Sequence, residues 1–118
     1  MTTNDSDVRS ILKEYLLYSS VSLDFENEIY NYLKLLIQKN LELNLISRKL
    51  DLKTIIVEHI YDSLSGFKYF EKYASITDLG SGGGFPGILL GIVFKEKKIV
   101  LIEKSPKKVI FLKDLVLL

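Results

Sequence analysis

Hydrophobic residues recur at helical spacing along the first half of the chain. Three such patterns predict amphipathic helices at about 8–18, 24–44 and 52–64. Asp24 is the expected N-cap of the second helix, because a short polar side chain there can accept an otherwise unpaired backbone N–H. Gly66 is expected to end the third helix, since glycine is the common residue just beyond a helix terminus.

The pattern changes in the second half of the chain. Residues 75–79 (SITDL) are short and partly β-branched, which predicts a strand. Pro86 suits the first turn of a helix, so a helix is predicted over 87–94. Residues 98–103 (KIVLIE) form a continuous apolar run, typical of a strand buried in a parallel sheet. The cap-then-proline signal at 105–106 predicts one more helix.

This order of elements predicts an α/β fold with a helical N-terminal region. We expect the helical region to cover residues 1–72, and residues 73–118 to begin a nucleotide-cofactor-binding domain within the same structural unit. A strand–helix–strand unit gives a right-handed parallel connection. Two strands are fewer than a doubly wound sheet uses, and the sequence stops on an apolar run. We therefore expect an incomplete sheet in a truncated chain that is prone to self-association.

Composition narrows the possible classes of protein. Hydrophobic residues make up 47% of the chain and charged residues 26%, as in an ordinary globular domain. The absence of cysteine excludes disulfides, thiolate zinc sites and a cysteine nucleophile, and no other metal site is predicted. No signal-peptide pattern or membrane-length apolar run is visible, so we expect a cytoplasmic protein without membrane association.

Charge is unevenly distributed although the net charge is only +1. Residues 1–30 carry a net charge of −4, whereas residues 95–114 carry seven lysines and a net charge of +4. Such a basic segment is suited to a polyanion. An ordinary solvated lysine face explains it equally well.

Five of the seven glycines lie in residues 78–87, which read DLGSGGGFPG. A glycine-rich turn between a strand and a helix is a signature of nucleotide-cofactor binding. Two patterns fit the spacing. Gly82, Gly84 and Gly87 match the dinucleotide pattern, while an acidic residue followed by alternating glycines, from Asp78 onward, matches the pattern of S-adenosylmethionine sites.

The charge of Asp78 favours S-adenosylmethionine. A carboxylate at the strand end would repel the pyrophosphate of a dinucleotide, which binds at a helix N-terminus. S-adenosylmethionine has no phosphate and carries an ammonium and a sulfonium, which a carboxylate attracts. The predicted cofactor-binding residues in this loop are Asp78, Gly80, Ser81, Gly82, Gly84 and Phe85.

Glu103 is the second candidate carboxylate. It ends the second predicted strand, nineteen residues after Gly84, where an acidic side chain can accept hydrogen bonds from ribose hydroxyls. Both cofactor classes share that role, so Glu103 does not choose between them. The alternative is a surface glutamate beside Lys104.

The loop, including the Pro-Gly that follows its glycines, resembles that of the RsmG (GidB) methyltransferases. The resemblance extends over nearly all of residues 25–115. The other similar segments are LNLI at 43–46, EHIYDSL at 58–64 and LIEKSPKK at 101–108.

This resemblance implies a class I, Rossmann-like methyltransferase that uses S-adenosylmethionine. It also implies methylation at N7 of a guanine in 16S (small-subunit) ribosomal RNA, with the RNA or the ribosomal subunit as partner. Guanine N7 has a free lone pair, so no base is needed, and positioning should supply most of the rate. By itself, the truncated chain is expected to be inactive.

The resemblance also gives roles to residues outside the loop. His59 and Asp62 look like a paired motif with a supporting role, although a lone histidine on an apolar helix face is commonly structural. Lys104, Lys107 and Lys108 are candidate contacts to RNA phosphates, or else ordinary exposed lysines.

Two other functions remain open from the sequence. One is a fragment of a nicotinamide-dependent oxidoreductase, and the other is a non-catalytic RNA-binding module. Binding of S-adenosylmethionine or a nicotinamide dinucleotide would distinguish the two enzyme hypotheses from the RNA-binding module.

Overall fold

The computed structural model describes residues 5–43, 52–80 and 84–116. Its first part contains helix α1 (Asp5–Tyr18), a 3-10 turn (Leu23–Phe25) and helix α2 (Glu26–Leu43). Both predicted helices are confirmed, with α1 beginning three residues earlier than expected.

The predicted N-cap of the second helix is wrong. The chain enters α2 through the 3-10 turn, and Ser22 caps that turn: its hydroxyl accepts the backbone N–H of Asp24 at 3.1 Å. Asp24 therefore lies inside the turn instead of ahead of the helix. A serine hydroxyl satisfies the same unpaired N–H that an aspartate would, so either residue could have been chosen from the sequence.

The third predicted helix is confirmed as three joined segments. They are α3 (Leu52–Ile55), a π-helical turn (Ile56–Tyr61) and α4 (Asp62–Ser65). Gly66 ends the last of them, as expected, and a 3-10 turn (Phe67–Phe70) follows. The π-helical turn is wider than an α-helical turn, so its side chains point in different directions from those of an α-helix. Spacing in the sequence does not reveal this change.

The second part has the predicted order of strand, helix, strand and helix. The two strands are parallel and in register, from Ser75 opposite Lys98 to Leu79 opposite Ile102. They form a two-stranded sheet within the described residues. The elements are β1 (Ser75–Leu79), α5 (Gly87–Val93), β2 (Lys98–Ile102) and α6 (Pro106–Val116).

Helix α5 packs on one face of the sheet, and within residues 5–43, 52–80 and 84–116 the other face is largely exposed. Asp78 and Leu101 point towards α5, where both approach Gly87. On the opposite face, Leu79 is 75% exposed and Ile102 is 48% exposed. The expectation that β2 is a fully buried strand is therefore wrong, because parallel strands become buried on both sides only when both faces are covered.

One hydrophobic core joins the helical part to the α/β part. Helix α2 contacts α1, α5 and α6, so it lies between the two parts. Among the described residues, no helix has both the length and the apolar character needed to cross a membrane. The buried core side chains come mainly from the six α-helices and the π-helical turn and include Leu12, Leu16, Ile29, Leu33, Leu36, Ile55, Ile56, Ile60, Leu64, Leu89, Phe111 and Leu112.

Two neighbouring leucines in α1 test this core. Leu16 is fully buried, whereas Leu17 is 62% exposed. We expect Leu16→Ala to lower the free energy of unfolding by about 2–5 kcal/mol, because it removes packed methyl groups and leaves a cavity. Leu17→Ala should change it by less than about 0.5 kcal/mol. Urea denaturation followed by circular dichroism measures both, and equal losses would contradict the assignment of the buried face.

Candidate cofactor site

The end of β1 is tied directly to the start of α5. The Asp78 carboxylate accepts the backbone N–H of Gly87 through its Oδ2 atom at 3.0 Å. Next to it, the N–H of Gly80 donates to the carbonyl of Ile102 at 2.7 Å, which continues the strand pairing one residue beyond β1. These two bonds fix where the glycine loop leaves the sheet and where it enters the helix.

Gly87 is required because β1 and α5 approach each other so closely. A Cβ atom at this position would overlap the side chain of Leu101 and lie 2.8 Å from Oδ2 of Asp78. Any side chain at this position would push α5 away from the sheet and break the bond to Asp78.

Gly84 is required for a different reason. Its φ of +99° lies in the region that favours glycine, and a Cβ atom there would be 2.7 Å from the Tyr32 hydroxyl. Its carbonyl accepts the N–H of Ile88 at 2.7 Å, which leads the chain into α5. The loop backbone therefore passes directly against a side chain from α2.

Three aromatic rings hold the loop against the helical part of the protein. The Phe85 ring lies 5.1 Å from the His59 ring, nearly parallel at 22°, and 5.6 Å from the Tyr32 ring at 54°. We call Tyr32, His59 and Phe85 the aromatic clamp. The ring contacts of Phe85 anchor the loop, and its predicted contact with the cofactor stays a prediction.

Tyr32 is a site residue that the sequence analysis missed. It is only 3% exposed, and burial raises the pKa of its hydroxyl well above the ordinary 10.0, with a further increase from the Asp78 carboxylate. The hydroxyl is thus a protonated donor at neutral pH. A tyrosine on the buried face of a predicted helix was the available signal, because a buried phenol hydroxyl needs a partner.

Glu103 lies at the same edge of the sheet as Asp78. It is half-buried, directly follows β2, and its Oε2 accepts the N–H of Ser105 at 3.0 Å. Because parallel strands present their carboxyl ends at one edge, the two candidate carboxylates are neighbours in the fold. Glu103 is one of the residues that line an open cleft of about 1640 Å³ between α2, α5, β2 and α6, and Ile102 and Gly87 also line it.

His59 and Asp62 line a separate, smaller cavity. This cavity has a volume of about 360 Å³ and includes Phe85 and Pro86. It shares no lining residue with the larger cleft. The predicted pair therefore lies beside the loop, but apart from Glu103.

Of the predicted RNA-contacting lysines, Lys104 lies just before α6, and Lys107 and Lys108 lie in its first turn. Lys104 and Lys107 are exposed, and Lys108 is half-buried. Other lysines of the basic segment have structural partners instead. Lys95 pairs with Glu28 at 2.6 Å, and the ammonium of Lys97 donates to the carbonyls of residues 71 and 73.

The predicted cofactor contacts at Ser81 and Gly82 lie outside the described residues, as do positions 44–46 of the segment at 43–46. The described part of the site is therefore the two ends of the loop, the aromatic clamp and the two carboxylates.

Two glycines of α5 test the close contact between α5 and the sheet. Gly87→Ala should lower the free energy of unfolding by about 1–3 kcal/mol, because the added methyl group overlaps Leu101 and displaces Asp78. Gly91→Ala is the matched control. Its Cβ would meet Ile99 at an ordinary 3.7 Å, so we expect it to stabilise the helix by about 0.5–1 kcal/mol. Thermal and urea unfolding distinguish these outcomes, and an unaffected Gly87→Ala variant would refute the close contact.

Comparisons with known proteins identify one family. Residues 25–117 match the family model described as rRNA small subunit methyltransferase G (GidB). No solved structure matches the chain.

Two curated relatives show the extent of the similarity. One from Mycoplasma capricolum subsp. capricolum is 39% identical over 98 residues, which is 82% of this chain and 42% of the relative. One from Francisella tularensis subsp. novicida is 35% identical over 108 residues, which is 91% of this chain and 50% of the relative. Both are named ribosomal RNA small subunit methyltransferase G. The chain spans about half the length of these relatives, and it belongs to the rRNA small subunit methyltransferase G (GidB) family.

Proposed function

We propose that the chain binds S-adenosylmethionine and forms the cofactor-binding part of a methyltransferase. The whole protein would have a Rossmann-like class I fold and would methylate N7 of a guanine in 16S ribosomal RNA. One observation carries the proposal: the carboxylate of Asp78, the penultimate residue of β1, accepts the first N–H of α5. In this proposal, the negative charge of Asp78 attracts the ammonium and sulfonium groups of the cofactor.

The same bond argues against a dinucleotide. A pyrophosphate at this position would need the N–H groups at the start of α5. The N–H of Gly87 already donates to Asp78, and the carboxylate would repel the phosphates. This is why the nicotinamide-dependent oxidoreductase is the weaker proposal.

Each candidate residue has a distinct role in this proposal. Asp78 attracts the methionine end of the cofactor, and Glu103 accepts hydrogen bonds from the ribose hydroxyls. The loop backbone between them lies along the cofactor. His59 and Asp62 support the loop from the smaller cavity or contact the substrate there.

The chemistry requires positioning and little acid–base catalysis. Guanine N7 attacks the sulfonium methyl group with its own lone pair, and S-adenosylhomocysteine leaves without a proton transfer. The protein then contributes mainly by aligning the two reactants and excluding water. A site that holds two carboxylates and a glycine loop is consistent with that demand.

The substrate is proposed to be the RNA itself or the small ribosomal subunit in the cytoplasm. Three lysines support this, because Lys104 directly follows Glu103, and Lys107 and Lys108 lie in the first turn of α6. Lysines there would contact phosphates on both sides of the target base. A non-catalytic RNA-binding module would use the same lysines without needing Asp78 or the glycines.

The open face of the sheet limits what the described residues do by themselves. Exposed Leu79 and Ile102 on a two-stranded sheet form an apolar surface that another polypeptide segment can cover. We propose that the described part binds cofactor but does not complete methyl transfer. We also propose that it self-associates through this face, which sedimentation velocity at rising concentration would detect as a growing mean mass.

Calorimetric titration tests the cofactor. We expect S-adenosylhomocysteine to bind the wild-type chain and NAD⁺ not to bind. Asp78→Asn keeps the shape and an acceptor oxygen but removes the charge, so it should weaken binding at least tenfold, or about 1.4 kcal/mol. Asp24→Asn makes the same chemical change at an exposed position and should have no effect.

Other results would contradict the proposal in different ways. Binding of NAD⁺ without S-adenosylhomocysteine would support the oxidoreductase. Binding of ribosomal RNA without either cofactor would support the RNA-binding module. Unchanged affinity in Asp78→Asn would remove the electrostatic argument on which the proposal rests.

A further inference from the structure

The smaller cavity beside the glycine loop has an aromatic wall. Phe85 and His59 both line it, and their stacked rings have centres 5.1 Å apart. Its volume of about 360 Å³ is within the range of small-molecule sites. Pro86 also lines it and is followed directly by Gly87, whose N–H donates to Asp78. The cavity is therefore next to the end of the loop that the proposed function assigns to the methionine part of the cofactor.

The polar side chains of this cavity are mainly hydrogen-bond acceptors. Glu58 and Asp62 line it, and ionised carboxylates accept hydrogen bonds without donating any. The hydroxyl of Ser63 donates to the carbonyl of His59 at 2.6 Å, and that of Ser65 donates to the carbonyl of Asp62 at 2.8 Å. Both hydroxyl protons are thus used within the helix. Among the described residues that line the cavity, only the imidazole of His59 keeps a side-chain donor for a ligand.

These acceptors do not form a metal site. Within residues 5–43, 52–80 and 84–116, no group of three or more histidine, aspartate or glutamate side chains is arranged to hold a metal ion. A cavity that combines an aromatic wall with carboxylate acceptors is instead suited to a flat organic ligand that carries N–H donors.

Guanine is the RNA base that fits this description. Its Watson–Crick edge has two adjacent donors, the N1–H and the N2 amino group, whereas adenine, cytosine and uracil each have one donor position on that edge. A single carboxylate accepts both donors of guanine with its two oxygens. Enzymes that act on one base read this edge through hydrogen bonds and pack the ring against aromatic or apolar side chains.

We propose that the smaller cavity receives the target guanine, and that Asp62 accepts hydrogen bonds from its N1–H and N2 amino groups. This inference rests on the proposed function, because it concerns the base that the methyltransferase modifies. Asp62 is preferred to Glu58 because its side chain has one rotatable bond fewer and loses less freedom on binding. N7 lies on the opposite side of the purine from N1 and N2, so this contact leaves the reacting atom uncovered.

The same contact favours the transition state over the bound substrate. During transfer, the N7 lone pair forms the bond to the methyl carbon while the carbon–sulfur bond breaks, and the electron pair of that bond stays on sulfur. The positive charge thereby moves from the sulfonium to the guanine ring. A carboxylate at the N1 and N2 donors attracts the base more strongly as this charge develops, which lowers the barrier.

Nuclear magnetic resonance of His59 measures occupancy of the cavity. His59 is the only histidine, so its Cε1 proton gives one signal from the cavity wall. Guanosine 5′-monophosphate should shift this signal and bind at least roughly fivefold more tightly than inosine 5′-monophosphate, which lacks only the N2 amino group. Both ligands carry the same phosphate, so the ratio of affinities reports the base. Equal affinities, or no shift with either ligand, would overturn the inference.

Asp62→Asn tests the acceptor. Asparagine keeps the size of the side chain, but it has one acceptor oxygen and places an amide donor against the second N–H of the base. The preference for the guanine nucleotide should fall below about twofold. Asp62 is exposed, so the fold should be unchanged by circular dichroism. Glu58→Gln is the matched control at the other carboxylate of the cavity and should keep the preference. An equal loss in both variants would overturn the assignment to Asp62.

A methylated nucleotide tests the role of charge. 7-Methylguanosine 5′-monophosphate carries the positive charge of the product, and at one fixed, mildly acidic pH it keeps its N1 proton. It should bind the wild-type chain at least roughly fivefold more tightly than guanosine 5′-monophosphate, and Asp62→Asn should abolish this gain. Equal or weaker binding of the methylated nucleotide to the wild type would overturn the stabilisation of the transition state by Asp62.

The outcomes separate this inference from the proposed function. A wild-type chain that does not bind S-adenosylhomocysteine overturns the proposed function, and the guanine site with it. A chain that binds S-adenosylhomocysteine but does not prefer the guanine nucleotide overturns only the role of Asp62 and the smaller cavity.

Discussion

The close approach of α5 to the end of β1 constrains everything else at this site. Gly87 has no side chain, so its N–H reaches the Asp78 carboxylate at 3.0 Å beneath Leu101. That contact fixes both ends of the glycine loop, because β1 leads directly into the loop and α5 begins where it ends. Gly80, where the described part of the loop begins, therefore lies at the carboxyl edge of the sheet, as Glu103 does.

The helical part of the chain contributes side chains that contact the described ends of the glycine loop. Helix α2 lies in the shared core, and from it Tyr32 contacts Phe85 and approaches Gly84. His59, which lies in the π-helical turn, stacks its ring on the ring of Phe85. Both contacts cross from the first part of the chain to the loop, so the loop geometry depends on how the helices pack as well as on its own glycines.

Most of the secondary structure is visible in the sequence because each element buries one side. Helical periodicity identified α1, α2 and the third helical segment, a short, partly β-branched segment identified β1, and an apolar run identified β2. The capping residue was misjudged, since Ser22 and Asp24 offer the same chemistry two residues apart. The burial of β2 was overestimated because a sequence pattern does not show whether a second layer covers the sheet.

The candidate site was predictable only where it is local in sequence. Asp78, the loop glycines and Glu103 follow from spacing along the chain. The aromatic clamp joins residues that are 26 and 53 positions apart, and nothing in their local sequence connects them. In the same way, Lys95 looks like a free cation in the basic segment, but its partner Glu28 lies 67 residues earlier.

The central claim is that the glycine loop binds S-adenosylmethionine through its main chain. Nuclear magnetic resonance of a chain labelled with nitrogen-15 only at glycine tests it directly, because the seven glycine amides include five in the loop. Addition of S-adenosylhomocysteine should shift the loop signals most, while Gly66 and Gly91, outside the loop, shift least. No shift at saturating ligand, or equal shifts at all seven glycines, would contradict the account.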